Sequence, residues 1–426
     1  MILKLKLKNF KAIKDEISIS FVGDKRTHRL TQNLVNNNNV AIAKSIAFYG
    51  ANNVGKTCII DSFMMIKDIM LGKKLDSVSY STNLFSNDKN ISFSISFINE
   101  RLEESNFTYD CEFDATLKVY LKEKLTEVFI DEHKNIKENV VFNKDAKEKK
   151  LESIDSELNK ISSFLQNDIP FLYSFNDESS NILRRYKNIF MNFANSLLIV
   201  RSYNIPIRNT LDILKSDNTK EKEFINEFIK KADLNLDNIN YEKEPVFKLA
   251  NNKGETINEE PLKNVDLIDQ IHLLSTYKGR KVPSLVFDST GTKKFEALSS
   301  YIIDALLNNK TLIIDEIDSS LHFSLTRSIV SLFNNSLNTF SQLIFSTHDS
   351  MILSNNNLVR KEQIKFVYKD NDSSKVISLD EFTSNENNVR ETSDFLKMYQ
   401  KGYFCKVPDP DFIKLLIDLK SKNNDK

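Results

Sequence analysis

Through its first third the chain alternates apolar and polar residues, the period of strands that bury one face. Ile2 to Lys8 (ILKLKLK) predicts a strand, with Ile17 to Val22 (ISISFV) as its hairpin partner. Ile91 to Phe97 (ISFSISF) and parts of Phe107 to Ile130 predict further antiparallel strands. Ser45 to Tyr49 (SIAFY) is instead a continuous apolar run, suited to a strand covered on both faces, and Ile59, Ile60, Phe63, Met64 and Ile66 recur after it at helical spacing. From about Asp145 the period changes: Leu151, Ile154, Leu158, Ile161 and Leu165 form a helical stripe too short for a coiled-coil arm. Ser179 to Ile199 and Lys220 to Lys231 predict helices, and Asn204 to Thr210, with Pro206, a break. Strand-like segments resume at Val246 to Ala250 and, after a turn at Gly279, at Lys281 to Phe287. The α/β pattern therefore reads as a mixed-sheet unit in two parts, 1–140 and 241–426, separated by a helical insertion over 141–240.

Composition narrows the functional classes. The 426 residues carry 59 basic and 59 acidic side chains, so no global field recruits nucleic acid and any such contact must come from a local patch. Arg184, Arg185 and Lys187 form one basic spot, the commoner meaning of which is a solvated helix face. The N-terminal MILKLKLKNFK lacks the apolar core of a secretory signal, and no apolar run is long enough to cross a bilayer. Cys58, Cys111 and Cys405 lack metal-ligand spacing, which favours a reducing cytoplasm.

Glycine is scarce, eight in all, which makes Gly50 and Gly55 informative. They sit in GANNVGKT, Gly50 to Thr57, the spacing of a phosphate-binding loop. Backbone N–H groups of Gly50, Asn52, Asn53, Val54, Gly55, Lys56, Thr57 and Cys58 would wrap a triphosphate, because glycine lets the main chain approach it closely. Lys56 would reach the β/γ-phosphates, and the Thr57 hydroxyl would hold Mg²⁺. The expected substrate and cofactor are ATP and Mg²⁺.

A matching second half lies downstream. Thr311 to Glu316 (TLIIDE) is an apolar strand ending in two acids: Asp315 would bind Mg²⁺ and Glu316 would orient and deprotonate the attacking water. Leu343 to Phe345 predicts another strand, running into Ser346-Thr347-His348-Asp349, where His348 could contact the γ-phosphate or the water. Asp288 to Thr292 (DSTGT) precedes a helix through Phe295, Leu298 and Ile302; Ser289 and Gly291 there make either an anion nest or a plain helix cap.

GANNVGKT, DSTGT, TLIIDE and STHD together resemble the ABC-type ATPase heads of SMC-like proteins, the OLD family and the AAA-labelled RloA or AbiLi ATPases of bacterial phage-defence operons. The last group is also similar at LKNFKAI, IKKADLNLDNI, DEIDSSLH and YQKGYFCKVP. The resemblance implies an ABC-type P-loop ATPase head in which Ser289 and Gly291 act in trans across a head-to-head homodimer, with two ATP molecules sandwiched, and His348 is the switch histidine. Higher oligomers stay open. Two departures stand out: no glutamine near Asn99 and Glu100 supplies a Q-loop, and Leu321-His322 is followed by Phe323 where the family often has proline. OLD proteins carry a Toprim nuclease after the STHD segment, whereas 77 residues follow Asp349 here, so a nuclease is expected as a separate chain.

The resemblance implies the cytoplasmic ATPase subunit of an anti-phage, abortive-infection system controlling a separate effector of the Toprim-nuclease kind. Two other functions are compatible with the motifs: a DNA-repair or DNA-organising ATPase of the SMC or RecF sort, and a scaffold that binds ATP without turnover. Neutral charge and the short stripe disfavour the first, and the presence of both Lys56 and Glu316 the second.

Overall fold

The computed structural model describes the chain except residues 26, 38–39, 76–79, 100–104, 131–134, 156–166, 176–179, 202–204, 233, 243–271, 355–356, 408–410 and 425–426. Its first sheet is antiparallel and built from the alternating segments. β1 (Ile2–Lys8) lies between β2 (Ile17–Ser20) and β6 (Asn90–Ile98), with Leu5 opposite Ile19 on one side and Ile95 on the other. β7 (Ser105–Asp114), β8 (Val119–Ile130), β9 (Ile136–Asp145) and β10 (Lys150–Ser153) continue it to seven strands, in the order β10-β9-β8-β7-β6-β1-β2. β3 (Leu34–Asn37) and β4 (Val40–Ala43) pair separately.

The second sheet carries the motifs. Its order is β11-β15-β16-β5-β17-β18, where β5 is Ser45–Tyr49, β11 Leu197–Arg201, β15 Thr311–Asp315, β16 Gln342–Ser346, β17 Ile364–Asp370 and β18 Ser373–Ser378. The first five strands run parallel and β18 returns antiparallel. β5, β15 and β16 are buried throughout because both faces are covered, which explains their unbroken apolar runs. Ile46, Phe48, Ile313 and Ile344 join one core with the antiparallel sheet and with α1 (Lys56–Met70) and α2 (Asn181–Ser196). Ala47, Tyr49, Leu312, Ile314, Leu343 and Phe345 face a second core.

Helices fill both cores. α2 stacks Phe193 on Phe97, ring centroids 4.0 Å apart. On the opposite face lie α3 (Arg208–Lys215) and α4 (Thr219–Lys231); after the sheet of β12 (Asn238–Tyr241), β13 (Leu273–Tyr277) and β14 (Arg280–Pro283) come α5 (Ser284–Phe287), α6 (Thr290–Leu307) and α7 (Phe323–Phe333). Phe228 of α4 stacks on Phe295 of α6 at 5.4 Å. Lys278 and Gly279, with φ of 48° and 76°, make the two-residue turn that joins β13 to β14 with the twist a hairpin needs. The chain closes with α8 (Ser384–Asn387), α9 (Phe395–Gln400) and α10 (Phe412–Asn424). Among the described residues no helix is long and apolar enough to cross a membrane.

Several sequence readings change. Among its described residues the stretch 141–240 holds three α-helices but is no uniform helical insertion: it opens with the end of β9 and with β10, and it supplies β11, an edge strand of the parallel sheet. Leu151 sits in β10, because an antiparallel partner in β9 overrides the local helical spacing, and Leu158, Ile161 and Leu165 lie outside the described residues. The helix read over Ser179 to Ile199 ends at Ser196, where Leu197 pairs with Thr311 and the chain becomes strand. Within Lys281 to Phe287 only the first part is strand, since Ser284–Phe287 turns helical after Pro283. Val246 to Ala250 lies outside the described residues. The basic spot on α2 is engaged: Arg185 pairs with Glu127 at 3.6 Å, and Lys187 lies 5.0 Å over the Tyr173 ring.

Candidate nucleotide site

β5 delivers the chain into the Gly50 to Gly55 loop, and α1 begins at Lys56. Gly50 has φ +152°, and a Cβ there would stand 2.2 Å from the Val367 carbonyl oxygen. Gly55 has φ +109°, and its Cβ would stand 2.4 Å from Ser374 Oγ. Both positions therefore require glycine, and Asn53 also lies in the left-handed region at φ 62°. Lys56 Nζ curls back to donate to the carbonyls of Gly50 and Ala51, each at 2.8 Å. Burial pulls the Lys56 ammonium below its ordinary pKa, against the opposing pull of the nearby Glu316, Asp315 and Asp318 carboxylates.

The two halves of the site meet at Thr57, whose Oγ1 donates to Asp315 Oδ2 at 2.9 Å across 258 positions of sequence. Sheet order makes this possible: α1 packs against β15, and both elements present their loops at the same end of the parallel sheet. Ser346 Oγ donates to Asp315 Oδ1 at 2.5 Å and accepts the Glu316 N–H at 2.7 Å, so one hydroxyl at the end of β16 orients both acids. Glu316 is exposed and holds a left-handed backbone, φ 52°. The exposed His348 donates its N–H to both Asp318 oxygens at 3.2 Å; partial desolvation of its ring and then the Lys56 charge pull the imidazole below its ordinary pKa.

The remaining predicted residues divide. Asn52 and Asn53 are exposed on the loop, while the Val54 and Cys58 side chains pack against the first core, so only their backbone N–H groups could serve a phosphate. Burial pushes the Cys58 thiol above its ordinary pKa. Ser289 is an exposed helix cap: its Oγ accepts from Thr292 N at 3.1 Å. Gly291 makes room for the Ser320 carbonyl, which a Cβ would approach to 2.3 Å. The contacts of these two residues run to the loop after Asp315 and to their own helix turn.

Three groups escaped sequence reading. Ser346 lies within the segment read for its histidine, and its hydroxyl gives no local signal of the carboxylate it will meet. Buried Lys294 donates to the carbonyls of Glu316, Ile317 and Ser319 at 3.0, 3.0 and 2.7 Å, and burial lowers its pKa to about 8. Beneath the DSTGT turn, Ser284 Oγ donates to Glu296 Oε2 at 2.7 Å, Tyr277 donates to Asp288 Oδ1 at 2.6 Å, and Ser275 joins the two acids. Burial, and then the Asp288 carboxylate, pushes the Glu296 carboxyl up to about 8. The YQKGYFCKVP segment also returns to the site's sheet, where Tyr399 packs on Tyr49 at 6.0 Å and Phe404 stacks on Phe366 at 4.9 Å.

Residues 45–354 match a family profile described as "AAA domain, putative AbiEii toxin, Type IV TA system", which takes in the phosphate loop, DSTGT, TLIIDE and His348. The chain belongs to this family. Its fold is a mixed α/β architecture in which one largely parallel sheet carries the motifs. Among curated proteins none matches the chain. Of the solved structures, the SMC head domain from Thermotoga maritima is 14% identical with a TM-score of 0.42, the match covering 88% of this chain and 98% of that one. An SMC head bound to the C-terminal winged-helix domain of ScpA is 15% identical, TM-score 0.44, covering 88% and 97%. An SMC head with an extended coiled coil, bound to the C-terminal domain of ScpA derived from Pyrococcus furiosus, is 14% identical, TM-score 0.42, covering 88% and 96%.

Proposed function

We propose that the chain binds Mg-ATP at this site and hydrolyses it, as the ATPase subunit of an abortive-infection system that controls a separate effector. The observation that carries the reading is the Thr57–Asp315 contact at 2.9 Å, which joins the phosphate loop to the acid-ended strand. Their hydroxyl and carboxylate form a hard oxygen pair. Such a sparse oxygen set suits Mg²⁺, which protein carboxylates commonly share with substrate phosphates. Bound there, the ion would neutralise charge on the β/γ-phosphates.

The chain's own groups would do the rest. Backbone N–H groups of Gly50 to Cys58 and the N-terminal end of α1 would hold the phosphates. Lys56 would exchange its loop carbonyls for phosphate oxygens. Glu316, held by Ser346 at its N–H, would take the proton of the attacking water, and His348 would face the γ-phosphate side. Ser289 and Gly291 would meet the nucleotide of a second copy, which makes a homodimer the working unit; this reading and the Toprim-type effector draw on the RloA and AbiLi resemblance.

Phosphate release and nucleotide affinity test the proposal together. Lys56→Ala should weaken binding of a fluorescent ATP analogue roughly 100-fold, the scale of a lost pair of charge-assisted hydrogen bonds. Glu316→Gln should keep that affinity while slowing phosphate release about 10²- to 10⁴-fold. Undiminished turnover in Glu316→Gln would remove it as the base, and unchanged affinity in Lys56→Ala would dismiss the phosphate loop.

A further inference from the structure

We propose that Lys294 is a positioning residue for this reaction, clamping the loop Glu316–Ser320 to the first turns of α6 so that Glu316 is held in its working conformation. The inference rests on the ATPase reading above and names a residue that no motif contains.

The Lys294 side chain is 7% exposed, and its ammonium has three donors to satisfy. All three are spent on one loop, at the carbonyls of Glu316, Ile317 and Ser319. No ion pair offsets the burial of this charge among the described residues, and Asp318 and Glu316 supply only longer-range compensation. A methionine would fill similar space without the desolvation cost but would take the donor away from three carbonyls, so what the lysine adds is the orientation of those carbonyls rather than a large net gain in stability.

The loop it holds needs holding. Glu316 and Ser320 both adopt left-handed backbones, φ 52° and 60°, which non-glycine residues keep only where their surroundings impose them. Three restraints converge on the segment. Ser346 fixes the N–H groups of Glu316, through Oγ, and of Ile317, through its carbonyl at 3.1 Å. Gly291 admits the Ser320 carbonyl. Lys294 binds the carbonyls between them and so decides which way those peptide planes face. Because Lys294 and Gly291 stand on the turns that follow Ser289, a displacement of the DSTGT turn by a second copy would travel through them to Glu316. The same loop places Asp318 on the His348 N–H, so both candidate γ-phosphate groups depend on it.

The experiment compares wild type with Lys294→Met and Lys294→Arg. The expected result for Lys294→Met is nucleotide-analogue affinity within about twofold of wild type, kcat lowered tenfold or more at unchanged KM, and faster amide hydrogen exchange confined to 316–320, at a melting temperature within a few degrees of wild type. Lys294→Arg, which keeps a charged donor fork, should recover part of the kcat and of the exchange protection. Wild-type kcat in Lys294→Met, or unchanged exchange at 316–320, would overturn the proposal, as would loss of affinity, melting temperature and kcat together. Should Lys294→Met fail to fold, Lys294→Gln carries the same comparison. If wild type itself releases no more phosphate than Lys56→Ala, the ATPase reading falls, and the exchange measurement still decides whether Lys294 holds the loop.

Discussion

Ser346 shows how one hydroxyl can set the geometry of two acids. Its Oγ is fully buried, donates to Asp315 and accepts from the Glu316 N–H. Ser346→Ala would leave a carboxylate oxygen and a peptide N–H without partners, a loss of about 1–3 kcal/mol. The expected outcome is a lower denaturation midpoint with kcat reduced and nucleotide affinity nearly kept, since the Ser346 hydroxyl bonds Asp315 and Glu316 rather than the phosphate loop. A variant matching wild type in both midpoint and kcat would show that water or a neighbour takes over the hydroxyl's place. Single residues such as Gly50 and Gly55 were legible in sequence because their demand is local, a backbone conformation that side chains resist. Ser346 and Lys294 were not, because their roles consist of partners on other elements.

At the scale of elements, α6 and β13 are joined by a pair of buried acids. Folding raises the Glu296 carboxyl from 4.5 to about 8. Its contribution to stability is full below the unfolded value and is lost as pH climbs through the folded one, because between the two the unfolded chain releases a proton that the native state retains. Wild type should therefore lose stability as pH rises from 4.5 towards 8. Glu296→Gln, which keeps the Ser284 and Ser275 partners and cannot ionise, should flatten that slope of melting temperature against pH; an identical slope would place the titrating group elsewhere. The elements themselves were largely legible: the alternation of β1, β6 and β7 and the apolar runs of β5, β15 and β16 report faces that are covered or bare. Two failed where a neighbour overruled the local period, Leu151 drawn into β10 by β9, and Leu197 drawn out of α2 by β15.

For the whole molecule the open contact is Ser289, exposed at the start of α6 and oriented by its own helix cap. Ser289→Arg should leave analogue binding to the single chain intact and abolish both ATP-dependent dimerisation, read by sedimentation of the Glu316→Gln background, and turnover. A dimer that forms and hydrolyses normally with the arginine in place would remove DSTGT from the interface. The sequence by itself determined the strand, loop and helix of the candidate phosphate site, the acids at the end of TLIIDE and the division into covered and half-covered strands. Each is encoded within a few residues, by periodicity or by a backbone conformation. Tertiary structure alone decided which of these segments touch. The order β15-β16-β5 brings Asp315 to Thr57 and sets Ser346 at its side, and the packing of α6 on the 316–320 loop commits Lys294 to it. Such contacts depend on how strands sort themselves within a sheet, a choice made by burying whole faces at once, which no short stretch of chain records.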